Sequence, residues 1–140
     1  MNPTLTDLLV GQAVAIAAPQ PPEAGGDYMA SRLGMIAMSA TLAAQEAERG
    51  PAVRIWENQA IQALLDRMAD ARGYETVERL PVEDFTWSGL DRRNASLRRA
   101  LIALHEAAES RGDRAAQADI LDLYVAMAEA RRLELPSALN

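Results

Sequence analysis

The chain has 140 residues, no cysteine and a formal net charge of −6, with 20 acidic residues against 14 basic ones. This length suits one ordinary domain, and a hydrophobic content of 49% excludes disorder as its overall state. The acidic balance argues against a nucleic-acid partner, because no excess of cations is present to displace the counterions of phosphates. The lack of cysteine excludes disulfides, thiolate nucleophiles and cysteine-based metal sites.

The first predicted element is an apolar helix from about Thr4 or Thr6 to Ala17, with hydrophobic residues at helical spacing. Residues 8–18 imitate the core of a secretory signal, but no basic residue precedes them and Asp7 stands where positive charge belongs. We therefore interpret the segment as a structural helix. No other stretch approaches the ~18–20 apolar residues that a membrane span requires, so we expect a cytoplasmic protein without a membrane partner.

A proline- and glycine-rich connector over residues 18–26 separates this helix from a second one, capped by Asp27 and predicted to run to about Arg49. The second helix carries no charge from residue 33 to residue 45 and is apolar on most of its circumference, so we predict that protein surrounds it as the central helix. One of its stripes consists of small residues that would let another backbone approach closely: Ala30, Gly34, Ala37, Thr41 and Ala44.

Gly50-Pro51 predicts a break before a third helix, which ends at Gly73. Its predicted inner face is Val53, Trp56, Ala60, Leu64, Met68 and Ala71, and its predicted outer face is Arg54, Glu57, Asn58, Asp66 and Asp70. Residues 73–89 lack a sustained period and predict a long loop, of a length that is unusual within a domain unless it is functional.

A fourth helix is predicted from near Ser88, where Ser88 and Asp91 resemble a capping box, to Gly112. Its inner stripe contains one polar member: Leu90, Asn94, Leu97, Leu101, Leu104 and Ala108. Asp113 caps a fifth helix that is predicted to end near Leu133 or Leu135, and the short link at Gly112 makes an antiparallel hairpin. The pattern predicts an all-α, single-domain, up-and-down bundle of about five helices.

No motif recommends an enzymatic activity, although acid–base chemistry stays open. His105 begins a string that resembles a zinc-protease helix, but the second histidine is missing and zinc usually takes three or four ligands. We predict no metal site and no cofactor, and a surface His105 paired with Glu109 one turn away. Cysteine, lysine and a G-x-S-x-G motif are all absent.

Aromatic residues around the 73–89 loop define one candidate ligand site: Trp56, Tyr74, Phe85 and Trp87, with Asn58 or Asn94 as a polar contact. If the loop folds back along the third helix, these side chains line an apolar pocket suited to an aromatic or acyl ligand. Otherwise the loop seals one end of the bundle.

The order Tyr28…Arg32-Leu33…Ile36-Ala37…Glu46, followed by Asn94…Leu97…Ile102 ahead of a closing helix near Pro136, resembles a bacterial family of small helical proteins. That family is associated with acyl-CoA dehydrogenases and kinase-like phosphotransferases. The resemblance implies an accessory role in that metabolism and transfers no site residue.

Taken together, these features predict a non-enzymatic interaction or accessory protein, acting as a homodimer or as the partner of a larger enzyme. Helix one, two or five is expected at the dimer interface, since all three have little polar surface. The alternative is a small-molecule binder or enzyme with an apolar pocket under the 73–89 loop. A DNA-binding regulator is disfavoured, because the nearest basic cluster, Arg92, Arg93, Arg98 and Arg99, is offset by acidic neighbours.

Overall fold

A computed structural model of the chain describes residues 26–75 and 84–134, together with residues 5, 7, 8, 11 and 12. Residues 26–75 and 84–134 contain no strand and form three helices, α1 (Gly26–Arg72), α2 (Trp87–Arg111) and α3 (Arg114–Ala130). The all-α prediction is confirmed. Residues 5, 7, 8, 11 and 12 are helical, in agreement with the first predicted helix, whereas most of the connector, residues 76–83 of the loop and the C-terminal residues from 135 lie outside the described residues.

The prediction of about five helices is an overestimate, because α1 replaces two of them with one helix of 47 residues. Pro51 lies inside this helix, and Gly50 is helical rather than left-handed. A proline inside a helix loses one hydrogen bond and crowds the preceding turn, at a cost of ~3 kcal/mol. Because the helix continues through Pro51, the rest of the fold offsets that cost, and a local sequence pattern does not reveal this.

The chain divides into two compact units, one of Met1–Gly50 with Leu133–Asn140 and the other of Pro51–Arg132. In the first unit, Gln12 Nε2 donates to the carbonyl of Ile36 at 3.1 Å. The side-chain amide of Gln45 donates to the carbonyl of Glu134 and accepts from its backbone N–H, each at 2.8 Å.

The helix over residues 26–50 was predicted to be surrounded by protein, and this is wrong for the single chain. Leu33 and Met35 are 57% and 60% exposed, and Tyr28 and Met38 are also exposed. The uncharged sequence indicates that this helix favours an apolar environment. It does not indicate that the same chain supplies that environment.

The second unit is a three-helix arrangement of the C-terminal part of α1 with α2 and α3. Its core contains Ile61, Leu64, Leu65, Met68, Tyr74, Leu97, Leu101, Leu104, Ala108, Ala116, Ile120 and Met127. The predicted inner stripe of α2 is confirmed, since all six of its members are buried. Gly112, at φ 64°, joins α2 to α3 in the left-handed conformation that a glycine adopts without strain.

The cap of α2 differs from the predicted Ser88–Asp91 box. Thr86 is the N-cap residue, and its hydroxyl accepts from the backbone N–H of Gly89 at 3.1 Å. The Asp84 carboxylate accepts from the Thr86 hydroxyl and backbone, and these bonds lower the pKa of Asp84. A Cβ on Gly89 would lie 2.2 Å from the Asp84 carboxyl carbon, so any other residue at this position would displace the Asp84 carboxylate. Asp91 instead pairs with Arg54.

The N-terminal end of α3 agrees with the prediction, and its C-terminal end does not. The Asp113 cap is confirmed, because its carboxylate accepts from the backbone N–H of Ala116 at 3.1 Å. The helix ends at Ala130 rather than near Leu133 or Leu135, and Arg131 becomes the C-cap residue.

Within the described part of the chain, no helix has the length and apolar content needed to cross a membrane.

Candidate functional site

Five polar residues form a cluster inside the second unit, and we call them the Glu57 cluster: Arg54, Glu57, Asn58, Asn94 and Arg131. Glu57 is fully buried, and Asn58 and Asn94 are 3% and 5% exposed. Burial of a carboxylate is unfavourable unless cations and hydrogen bonds compensate for the lost water. The partners of Glu57 must therefore compensate for the water that its carboxylate has lost.

One oxygen of Glu57 accepts all of its hydrogen bonds. Arg54 Nη1 donates to Glu57 Oε2 at 2.8 Å, Arg131 Nε donates to the same oxygen at 3.1 Å, and Arg131 Nη2 makes a third contact. Glu57 Oε1 is buried and accepts no hydrogen bond. The carboxylate thus joins α1 to the C-cap residue of α3.

The two asparagines extend this network from α1 to α2. Asn94 Nδ2 donates to Asn58 Oδ1 at 2.9 Å, and Asn58 Nδ2 donates to the carbonyl of Leu90 at 3.2 Å. Arg131 Nη2 also donates to Asn94 Oδ1 at 3.2 Å. An ion pair of 2.7 Å between Arg54 Nε and Asp91 Oδ1 adds a second acid, so two arginines balance two carboxylates. The arrangement neutralises buried charge and connects three helices.

A second cluster surrounds the cap of α3 at the opposite end of the α2–α3 hairpin. Arg72 Nη1 donates to both oxygens of Asp113, at 2.8 and 3.0 Å, and the Tyr74 hydroxyl donates to Asp113 Oδ2 at 3.2 Å. The guanidinium carbon of Arg111 lies 4.1 Å from the centre of the Tyr74 ring, in a cation–π contact. This cluster anchors the residues that follow α1.

The same contacts shift two pKa values. The hydrogen bond from the backbone N–H of Ala116 and those from Arg72 and Tyr74 lower the pKa of Asp113. Burial, followed by the hydrogen bond to Asp113, raises the pKa of Tyr74. Both shifts are typical of a structural cap, in which an ionised acid holds a neutral phenol.

The candidate ligand residues occupy different environments. Trp56 and Phe85 are 39% and 62% exposed, Trp87 is half-buried at the first residue of α2, and Tyr74 is buried against Asp113. Among the described residues, no ring contact joins Trp56, Phe85 or Trp87 to another aromatic side chain. Asn58 and Asn94 are brought together, but as members of the Glu57 cluster. The pocket under the 73–89 loop stays a prediction, since residues 76–83 lie outside the described residues.

His105 lies within α2 and its ring packs against Tyr124 of α3. Its Nε2 is 3.7 Å from Glu109 Oε1, the predicted ion partner, and its ring centre is 5.8 Å from that of Tyr124. Burial raises the pKa of Tyr124, and the charge of Arg98 opposes this shift. Within the described residues, no group of three metal-ligating acids or histidines comes together.

Sequence reasoning missed the importance of Glu57 by placing Glu57 and Asn58 on the outer face of their helix. The structure buries both and leaves Trp56, assigned to the inner face, 39% exposed. A helical period that includes Ile61 and Leu65 would have found the true face, since residues 54, 57, 58, 61, 65 and 68 recur at spacings of three and four.

Comparison of the chain with protein-family models, with curated proteins and with solved structures found no match. The resemblance to a family of helical accessory proteins therefore stays a sequence-based expectation.

Proposed function

We propose that this chain is a non-enzymatic interaction protein that works as a homodimer. The observation that supports this proposal most strongly is the exposure of large hydrophobic side chains in both units. In the first unit they are Tyr28, Met29, Leu33, Met35 and Met38, and in the second they are Trp56, Phe85, Ile102, Leu121 and Val125.

These side chains gain free energy when association removes them from water. Complete burial of a leucine, isoleucine or methionine contributes about 1.5–3 kcal/mol, and half-exposed side chains gain a corresponding part of it. Several such residues on one face together offset the ~4–15 kcal/mol cost of bringing two molecules together. Flexible methionines such as Met35 and Met38 adapt well to an interface.

The polar clusters favour an interaction protein over an enzyme. Glu57 is fully buried and Asp113 is held by Arg72, Tyr74 and the α3 backbone, so both acids are engaged in joining helices. An acid that serves as a general acid or base must lie within hydrogen-bond reach of a substrate. Glu57 has no such access, and the Asp113 carboxylate is occupied by hydrogen bonds from Arg72, Tyr74 and the backbone of Ala116.

Sedimentation velocity tests the proposal directly. From low to high micromolar concentration, we expect a species with twice the mass of the chain. A clean monomer at high micromolar concentration would contradict the proposal. Ala37→Arg, at a half-buried member of the small-residue stripe of α1, reports whether that stripe takes part, and circular dichroism of the variant confirms that it still folds.

A further inference from the structure

The α2–α3 hairpin has an apolar outer surface that we call the hairpin face, formed by Ile102, Leu121 and Val125 with Arg98 and Glu106 beside them. Ile102 and Leu121 are each 52% exposed, and Val125 is 63% exposed. These residues lie in the second unit, where the rest of the large hydrophobic residues of α2 and α3 are buried or half-buried.

One ring contact, together with helical spacing, shows that the three apolar residues share one side of the hairpin. The ring contact between His105 and Tyr124 marks where α2 and α3 meet on that side. Ile102 precedes His105 by one turn, Leu121 precedes Tyr124 by one turn, and Val125 follows Tyr124 directly.

The position of α1 shows that this side is the outer one. Arg67 of α1 pairs with Asp119 of α3 at 3.1 Å. Asp119 and Leu121 are two residues apart and thus about 200° apart around the helix. The edge of α3 that carries Leu121 therefore points away from α1.

Charge along α2 is largely segregated around Ile102. Arg92, Arg93, Arg98 and Arg99 precede it together with one acid, Asp91, whereas Glu106 and Glu109 follow it together with one base, Arg111. Arg98 and Glu106 are each four residues from Ile102, on the same side of the helix, and both are exposed. No ion pair joins either of them to another described residue.

We propose that the hairpin face is the homodimer interface and that two copies of α2 cross antiparallel on a two-fold axis near Ile102. This inference rests on the proposed function. In this arrangement Ile102 meets Ile102 of the second copy, and Arg98 faces Glu106 of the second copy on both sides of the axis. An isologous interface requires such self-complementarity, in which residue i meets j and j meets i.

The charge pattern selects this face over the other exposed apolar surface. The helix over residues 26–50 carries no charge from residue 33 to residue 45, so nothing in that stretch specifies a register or an orientation. On the hairpin face, apolar contact supplies affinity, while the paired charges specify the antiparallel alignment and disfavour the parallel one.

Charge reversal with rescue tests the inference by sedimentation equilibrium. Arg98→Glu and Glu106→Arg each create two like-charge contacts, so each raises the dimer dissociation constant at least about tenfold. The double variant Arg98→Glu/Glu106→Arg restores complementarity across the axis and returns the constant to within about threefold of the wild-type value. Ile102→Arg abolishes the dimer, because it places two cations at the axis.

Glu48→Arg is the matched control, an exposed acid-to-base change in the other unit, and leaves the dissociation constant unchanged. A monomeric wild type overturns the proposed function and this inference together. A dimeric wild type that dissociates with Met35→Arg but resists Ile102→Arg overturns the hairpin face and leaves the proposed function standing. Failure of the double variant to restore the dimer overturns the Arg98–Glu106 pairing, and circular dichroism verifies the fold of every variant.

Discussion

Replacing Glu57 with glutamine removes the charge of a fully buried side chain while keeping its shape. Three bonds to arginine groups then lose their anionic acceptor, one from Arg54 and two from Arg131. Bonds to charged groups contribute about 1.5–3 kcal/mol and neutral ones about 0.5–1.5, so the loss is ~1 kcal/mol for each bond. We expect Glu57→Gln to lower the free energy of unfolding by about 3 kcal/mol, at the lower end of the 3–5 kcal/mol typical of broken buried ion pairs.

Urea denaturation, followed by far-ultraviolet circular dichroism, measures this loss as a lower midpoint with an unchanged slope. Asp119→Asn is the matched control, since it makes the same carboxylate-to-amide change in the exposed pair with Arg67, whose side chains are 59% and 42% exposed. That control should cost about 0–1 kcal/mol. A cost for Glu57→Gln that does not exceed the control would refute the reasoning, because Glu57 would then contribute no more than a surface ion pair.

Three further predictions concern helix caps and glycine positions. The lowered pKa of Asp113 stabilises the fold above the ordinary aspartate pKa, and this contribution is lost as the pH falls through the lowered value. Asp113→Asn should therefore make stability less dependent on acidic pH, and thermal melts of both proteins between neutral and acidic pH would show it. Thr86→Ala should cost about 1 kcal/mol through loss of the N-cap, whereas Ser88→Ala should cost almost nothing; equal costs in urea titrations would argue against the observed cap. Gly112→Ala should cost about 1 kcal/mol because of its positive φ, whereas Gly34→Ala, with open space around its Cβ position, should raise stability by about 0.5–1 kcal/mol; differential scanning calorimetry distinguishes the two.

Local patterns in the sequence were sufficient for the all-α class, the inner stripe of α2, the Asp113 cap and the hairpin at Gly112. Each of these depends on residues close together in the chain. An apolar stripe needs only a helical period, and a cap needs a side-chain acceptor three residues from the N–H it binds. A turn at φ 64° needs only a glycine between two helices.

The tertiary structure decided what depends on distant partners. The sequence pattern predicts that Glu57 faces solvent. Its burial depends on the hydrogen bonds from Arg131, which is 74 residues further along the chain. The continuity of α1 through Pro51 likewise could not be predicted from the local sequence, because proline in a helix interior carries a local penalty. Hydrophobic periodicity shows that a helix has an apolar face but not which surface covers it, because the transfer of apolar area from water has no directional preference. Only the arrangement of helices in three dimensions shows that Ile102, Leu121 and Val125 form one exposed face while Glu57 lies in the interior.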